Sequence, residues 1–356
     1  MSDMSSAIRF FYSGNLEEAE SILEEILKED RNNINALVRY GVVLEGLGKA
    51  MEAGQVYARL AQMYFKERNY TECREVLDKA INYLPDSEFL PLLKGNCLYR
   101  LGCYREALPY FEEAPKELEN LFYIGKIHFA LRQYPEAGKV FRSIKGKSEK
   151  KEDSRLADYW LGKTYSALGR FGEAVNCLKN YNKAYPDEKQ VYLDLALCYL
   201  ETEKWPEAEN NLIIYRDKGG NSKLANLNLG IVHYRKGEFE QAIEYLDNAP
   251  VNEQSLHWKG MTYFSQGMYN EAIECFAELF RMTNDLFYCK IMGSARLKLG
   301  HYYEAKMLIE RASAENPEDQ DLLKMLSIAA HYLKESNIPG NRLVQFTDSI
   351  STRPET

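Results

Sequence analysis

Along most of the chain, apolar residues recur at helical spacing in paired segments joined by short polar turns, and no strand-like alternation competes with this pattern. One position of the second segment in each pair is small: Ala19, Ala53, Cys73, Ala107, Ala137, Ala174, Ala208, Ala242, Ala272 and Ala305. A large apolar residue follows four places later, as in Tyr57, Leu77, Phe111, Phe141, Leu178, Leu212, Leu246, Phe276 and Ile309. That spacing puts both on one face of a helix. Successive small residues are 34, 20, 34, 30, 37, 34, 34, 30 and 33 positions apart, so about ten units are expected over residues 1–317.

The first segment of each pair carries its own small residue, at Gly41, Ala61, Gly95, Gly125, Gly162, Ala196, Gly230, Gly260 and Gly293. Two helices cross with their backbones close only where no bulky side chain intervenes. A glycine in a helix costs about 1 kcal/mol relative to alanine, so its repeated use points to a packing role. Between the two segments stand Gly48-Lys49, Gly102-Cys103-Tyr104, Gly169-Arg170-Phe171, Gly237-Glu238-Phe239 and Gly300-His301-Tyr302, where glycine can take the left-handed conformation that ends a helix. Pro85, Pro186 and Pro317 are placed to stop second helices.

The full motif is clearest from Leu161-Gly162 through Gly169 and Phe171 to Ala174, from Leu229-Gly230 through Gly237 and Phe239 to Ala242, and from Gly260 through Gly267 and Tyr269 to Ala272. It resembles the tetratricopeptide repeat (TPR). The resemblance implies an all-α, right-handed superhelical solenoid of antiparallel helix pairs that binds other proteins and catalyses nothing.

Three irregularities are expected to disturb the array. The gap of 20 leaves room for one helix where two would stand, so Met51 to Glu67 is expected to serve as second helix of one unit and first helix of the next. The gap of 37 contains the charged run from Ser143 to Asp153, expected to be a loop. Both gaps of 30 carry Ala-Pro after the second helix, at Ala114-Pro115 and Ala249-Pro250, where proline should shorten it. Residues 318–335 read as a capping amphipathic helix, and residues 336–356, with Pro339, Gly340 and Pro354, as a mobile tail.

Composition narrows the function. The 356 residues carry a net charge of -8, which argues against general binding to nucleic acid or anionic membranes. No signal peptide or membrane-inserting segment is apparent, and the seven cysteines lack C-x-x-C spacing. Cys73, Cys177 and Cys275 fall at packing positions, which suits a reducing compartment such as the cytoplasm. Gly146-Lys147-Ser148 imitates the end of a phosphate-binding loop, but Phe141 stands where the motif needs glycine. His128 and His233 fall at aromatic sites of the repeat, and the other three histidines have no companion at metal-ligand spacing. No cofactor, no metal and no enzymatic activity are expected.

The resemblance implies that ligands lie in a concave groove lined by first helices. The corresponding positions are Asn96, Tyr99 and Arg100; Phe122, Tyr123 and Lys126; Tyr159, Trp160 and Lys163; Asn228, Tyr234 and Arg235; His257, Trp258 and Phe264; and Lys290. Aromatic residues with interspersed cations could hold a peptide segment by anchoring and by contacts to carboxylates. The lysine-asparagine arrangement with which some family members hold a terminal carboxylate is not reproduced, since Leu92 stands where the lysine would precede Asn96. The expected function is a non-catalytic scaffold or adaptor for protein partners. The alternative is a cytoplasmic chaperone for secreted or assembling subunits, since bacterial secretion chaperones resemble short arrays of this repeat.

Overall fold

The computed structural model describes residues 4–147, 150–314 and 316–335. Every element in them is helical, and the chain divides into two compact units, 1–184 and 185–356. The expected tail, residues 336–356, lies outside the described residues.

The first unit holds α1 (Met4–Tyr12), α2 (Leu16–Glu29), α3 (Ile34–Gly46), α4 (Ala50–Lys66), α5 (Tyr70–Tyr83), α6 (Phe89–Arg100), α7 (Tyr104–Glu113), α8 (Leu118–Ala130), α9 (Tyr134–Lys147), α10 (Lys151–Ala167) and α11 (Phe171–Ala184). The second holds α12 (Lys189–Glu201), α13 (Trp205–Asp217), α14 (Ser222–Lys236), α15 (Phe239–Asp247), α16 (Glu253–Gln266), α17 (Tyr269–Thr283), α18 (Phe287–Lys298), α19 (Tyr302–Ser313) and α20 (Gln320–Glu335). Consecutive helices pack on each other within each unit, giving a solenoid of antiparallel pairs.

The pairs close on the glycines. A methyl group added at Gly125 would stand 2.6 Å from the Phe141 ring, and one at Gly162 2.6 Å from Leu178. In the second unit the same relation joins Gly230 to Leu246 at 2.6 Å, Gly260 to Phe276 at 2.8 Å and Gly293 to Ile309 at 2.7 Å. In each case the partner is the large residue four places after the small one of the second helix. Those small residues, Ala137, Ala174, Ala242, Ala272 and Ala305, are wholly buried.

The irregularities have structural counterparts. A single helix, α4, does double duty: Tyr57 fills the space under Gly41 of α3, while Ala61 meets α5, its carbonyl accepting from Cys73 Sγ at 3.2 Å. With α4 shared, α1 to α19 make ten pairs. Helices α7 and α15 are short, and both end just before the Ala-Pro steps. The charged run Ser143 to Asp153 is not the long loop its composition suggests. Helix α9 continues to Lys147 because Ile144 extends its buried stripe beyond Phe141, and α10 begins at Lys151. Gly146 and Lys147 thus lie at a helix C-terminus, where the macrodipole opposes an anion. Ser148 lies outside the described residues.

Helix α20 buries Leu322 and Ala329 but leaves Leu323, Ile328 and Tyr332 exposed. Asp319 starts it by accepting from the backbone N–H groups of Asp321 at 2.8 Å and Leu322 at 3.2 Å.

Turns between paired helices follow glycine where the sequence supplies it, with φ of 78° at both Gly102 and Gly237. Three turns place a side chain in the same left-handed region: Arg68 at 63°, Arg132 at 60° and Glu203 at 56°. That conformation costs an L-residue about 1–2 kcal/mol.

Two predictions test this packing. Gly230→Ala should lower stability by about 1–3 kcal/mol, since its Cβ would meet Leu246 and, at 3.2 Å, the Ala242 carbonyl. Gly146→Ala, which meets no atom within 4 Å, should be neutral or stabilising by up to about 1 kcal/mol. Equal melting of the two variants would refute the packing role. Separately, Arg132→Gly should raise stability by about 0.5–1 kcal/mol, the relief of left-handed strain exceeding glycine's entropy cost; a lower midpoint in urea unfolding would contradict this.

Candidate functional site

The first helices of successive pairs meet side by side through aromatic side chains. In the first unit, Tyr99 of α6 meets Tyr123 of α8 edge-on at 5.1 Å, and Tyr123 stacks on Phe111 at 4.7 Å. Phe129 of α8 meets Trp160 of α10 edge-on at 5.7 Å, and Trp160 stacks on Phe141 at 5.8 Å. Tyr159 packs on Tyr181 at 4.8 Å. The result is a wall of two aromatic clusters across three helices, with Lys126 lying near rings of both.

Cations sit on this wall. Lys126 Nζ lies 5.5 Å from the Trp160 ring, 5.8 Å from Tyr123 and 6.0 Å from Phe122. Lys163 Nζ lies 5.6 Å from both Trp160 and Tyr159, and 5.9 Å from Phe129. Ring faces attract such ammonium groups by roughly 0.5–2 kcal/mol. Burial, together with the neighbouring Arg100, holds the Lys126 ammonium below the usual lysine range, with Glu119 acting in the opposite sense. Arg100 itself is exposed at the end of α6.

The second unit repeats the arrangement in smaller form. Trp258 of α16 packs against Tyr234 of α14 at 5.3 Å, and the Arg235 guanidinium lies 5.2 Å from the Trp258 ring. His257 meets Tyr288 edge-on at 6.2 Å, and burial lowers its pKa.

Some lysines elsewhere are paired with carboxylates about one repeat away. Lys49 meets Glu20 at 2.7 Å, Lys79 meets Glu45 at 3.2 Å and Lys236 meets Glu209 at 3.1 Å. Among the described residues no carboxylate lies within ion-pairing distance of Arg100, Lys126, Lys163 or Arg235.

Not every expected wall residue faces outward. Phe122 is 8% exposed and Asn228 6%. The Asn228 amide donates to the Leu224 carbonyl at 2.9 Å, and Asn96 does the same to Leu92 at 3.1 Å, so both serve their own helix. Lys290 is held by Asp319 at 2.7 Å, which raises its pKa and lowers that of Asp319. Phe264 and Tyr234 pack across their turns on Tyr269 at 5.4 Å and Phe239 at 6.0 Å. Tyr99 and Phe129 do likewise with Tyr104 and Tyr134. These four pairs of an aromatic with one five places on use five of the chain's 26 tyrosines.

Two features escape sequence reasoning. Tyr288, stacked on Phe276 at 6.0 Å, belongs to the second wall, although the sequence marks its neighbour Phe287, half-exposed, as readily. A cleft of about 220 Å3 also opens between α1 and α3, lined by Ile8, Phe11, Leu23, Val38 and Val42. Among the described residues, no three His, Cys, Asp or Glu side chains are grouped as a metal site, and no helix is long and apolar enough to cross a membrane. His233 is buried, its Nδ1 2.6 Å from Glu238 Oε2 and its ring stacked on Tyr245.

Because Trp160 supports Phe129 and Phe141, Trp160→Ala should destabilise the protein by about 2–4 kcal/mol. Arg235→Ala, which removes an exposed end, should stay within about 0.5 kcal/mol of the parent. Urea unfolding of both variants checks this, and an unchanged midpoint for Trp160→Ala would show that the ring is not part of the packing.

Comparison with known proteins agrees with this architecture. The profile described as anaphase-promoting complex, cyclosome, subunit 3 matches residues 12–114, and tetratricopeptide-repeat profiles match 159–212, 199–253 and 253–285. A TPR repeat-containing protein of Methanocaldococcus jannaschii is 22% identical over 82% of this chain, a match that takes in 64% of the archaeal protein's length. The BBSome complex member BBS4 homolog of Drosophila melanogaster is 19% identical over 72% of this chain and 70% of its own. Among solved structures, the APC/C hetero-tetramer Cut9-Hcn1 superposes with a TM-score of 0.47 at 12% identity, covering 91% of this chain and 88% of that one. Proteins of this repeat class generally mediate protein–protein interactions. Ten helix pairs, seven of them closed by a first-helix glycine against a second-helix side chain, together with the matching repeat profiles, place the chain in the tetratricopeptide-repeat family.

Proposed function

We propose that the protein is a non-catalytic scaffold or adaptor, with partner proteins laying peptide segments along the first helices of each unit. The observation that carries this reading is the row of cations on aromatic faces with no carboxylate of their own. A surface of this kind offers apolar area for anchoring and charge for orientation, the combination that dominates binding at protein interfaces. Relatives named as members of multi-subunit assemblies, a BBSome member and an anaphase-promoting complex subunit, support a role inside a complex. The net charge of -8 and the mostly buried cysteines, none in a C-x-x-C spacing, fit a cytoplasmic setting. Helix α20 is taken as the closing element of an array spanning residues 1–317.

The test is affinity capture with the full chain and with a Lys163→Glu, Arg235→Glu variant whose helicity and melting match the parent. Several subunits of one assembly should accompany the parent protein, and the variant should lose one or more of them by about tenfold or greater, as expected when a charge at an interface is reversed. Retention of every subunit at parental strength would place binding elsewhere. A single stoichiometric exported client would point to a chaperone instead.

A further inference from the structure

The wall of the first unit goes beyond a general binding surface, because its charge and its spacing select a ligand. In a chain with 53 acidic residues, several lysines form ion pairs with carboxylates about one repeat away, as the Lys49–Glu20 and Lys79–Glu45 contacts show. Arg100, Lys126 and Lys163, on three successive first helices, have no carboxylate within ion-pairing distance among the described residues. Lys126 is half-buried, and Arg100 acts on it as a like charge, with Glu119 acting in the opposite sense. Lys126 and Lys163 share the Trp160 ring, at 5.5 and 5.6 Å, so their nitrogens are no farther apart than the two distances combined. A cation on partly desolvated aromatic surface beside another cation, as Lys126 is beside Arg100, favours an anion as its ligand.

Geometry restricts that anion further. Packed helices lie about 8–10 Å apart, and an extended or polyproline II chain advances about 3.1–3.4 Å per residue. Residues three apart on such a chain therefore match cations on consecutive first helices. The polyproline II form also returns every third side chain to the same face.

We propose that the first unit's wall takes an extended acidic polypeptide segment, with a carboxylate at every third position against Arg100, Lys126 and Lys163 and apolar residues between them against Tyr99, Tyr123 and Trp160. This rests on the reading that first helices carry the binding surface. The cations supply charge-assisted hydrogen bonds, and the rings supply the apolar contact. Seating a carboxylate beside Lys126 offsets its repulsion by Arg100, so that lysine matters more in the complex than in the free protein.

The experiment is fluorescence anisotropy of the full chain with labelled nine-residue peptides built from Glu-Pro-Leu triplets. Its controls are a peptide with Gln for every Glu and one of identical composition with its glutamates consecutive. The triplet peptide is expected to bind, with affinity falling as salt rises, and the glutamine peptide to bind at least a hundredfold more weakly. Lys126→Gln and Lys163→Gln should each weaken triplet binding by about tenfold with parental helicity retained. No binding of the triplet peptide, or unchanged binding to both lysine variants, would overturn the proposal. Equal binding of the consecutive-glutamate peptide would overturn the threefold register. Displacement by a single-stranded oligonucleotide as effective as by unlabelled peptide would overturn a polypeptide ligand. Equal binding of the glutamine peptide, lost on Tyr123→Ala, would overturn the acidic preference while leaving the first helices as the binding surface. Equal binding that survives every wall substitution would overturn both.

Discussion

A bare glycine backbone in the first helix, filled by one large side chain from the second, is the contact on which the rest of this structure depends. Leu246 against Gly230 and Phe141 against Gly125 leave no room for even a methyl group. Dense packing makes such a fit discrete: a side chain either enters the space or forces the helices apart. Since each pair is fixed from within, its neighbours can stack on it with little added constraint. Stability in such an array is close to a sum over pairs and their contacts.

The same contact shapes the binding surface. Phe141 fills the space beneath Gly125 and at the same time supports the underside of Trp160. The ring that holds Lys126 and Lys163 therefore rests directly on the pair's central packing residue. Rigid support of this kind reduces the ordering that a ligand must bring about on binding. Aromatic rings on the wall consequently serve two roles, and their removal changes stability and affinity together. The cations above them contribute less to the packing, which makes charge the cleaner probe of function.

Much of the fold was legible because its determinants are local and periodic. The alanine ruler, the glycines and the single helix in the short gap all follow from spacing within about 40 residues. The run Ser143 to Asp153 misled because charge dominates its composition, whereas one buried residue, Ile144, decides its conformation. The wall was less legible for a different reason. Whether a polar side chain is available depends on what it already touches, and that partner can be four residues away on the same helix, as for Asn96 and Asn228, or a whole repeat away, as for Lys290 and Asp319. Sequence spacing marks the face a residue occupies but not the hydrogen bonds it has made there.

A double-mutant cycle between Gly230→Ala and Leu246→Ala addresses the central packing claim most directly. Each change alone should destabilise, the first by crowding and the second by leaving a cavity. If the glycine exists to admit the leucine, the double variant should be more stable than the sum of its single changes predicts, by about 1 kcal/mol or more, because the added methyl then enters the vacated space. Effects that add to within about 0.5 kcal/mol would show that the two residues do not act on one another and that some other contact sets the helix crossing.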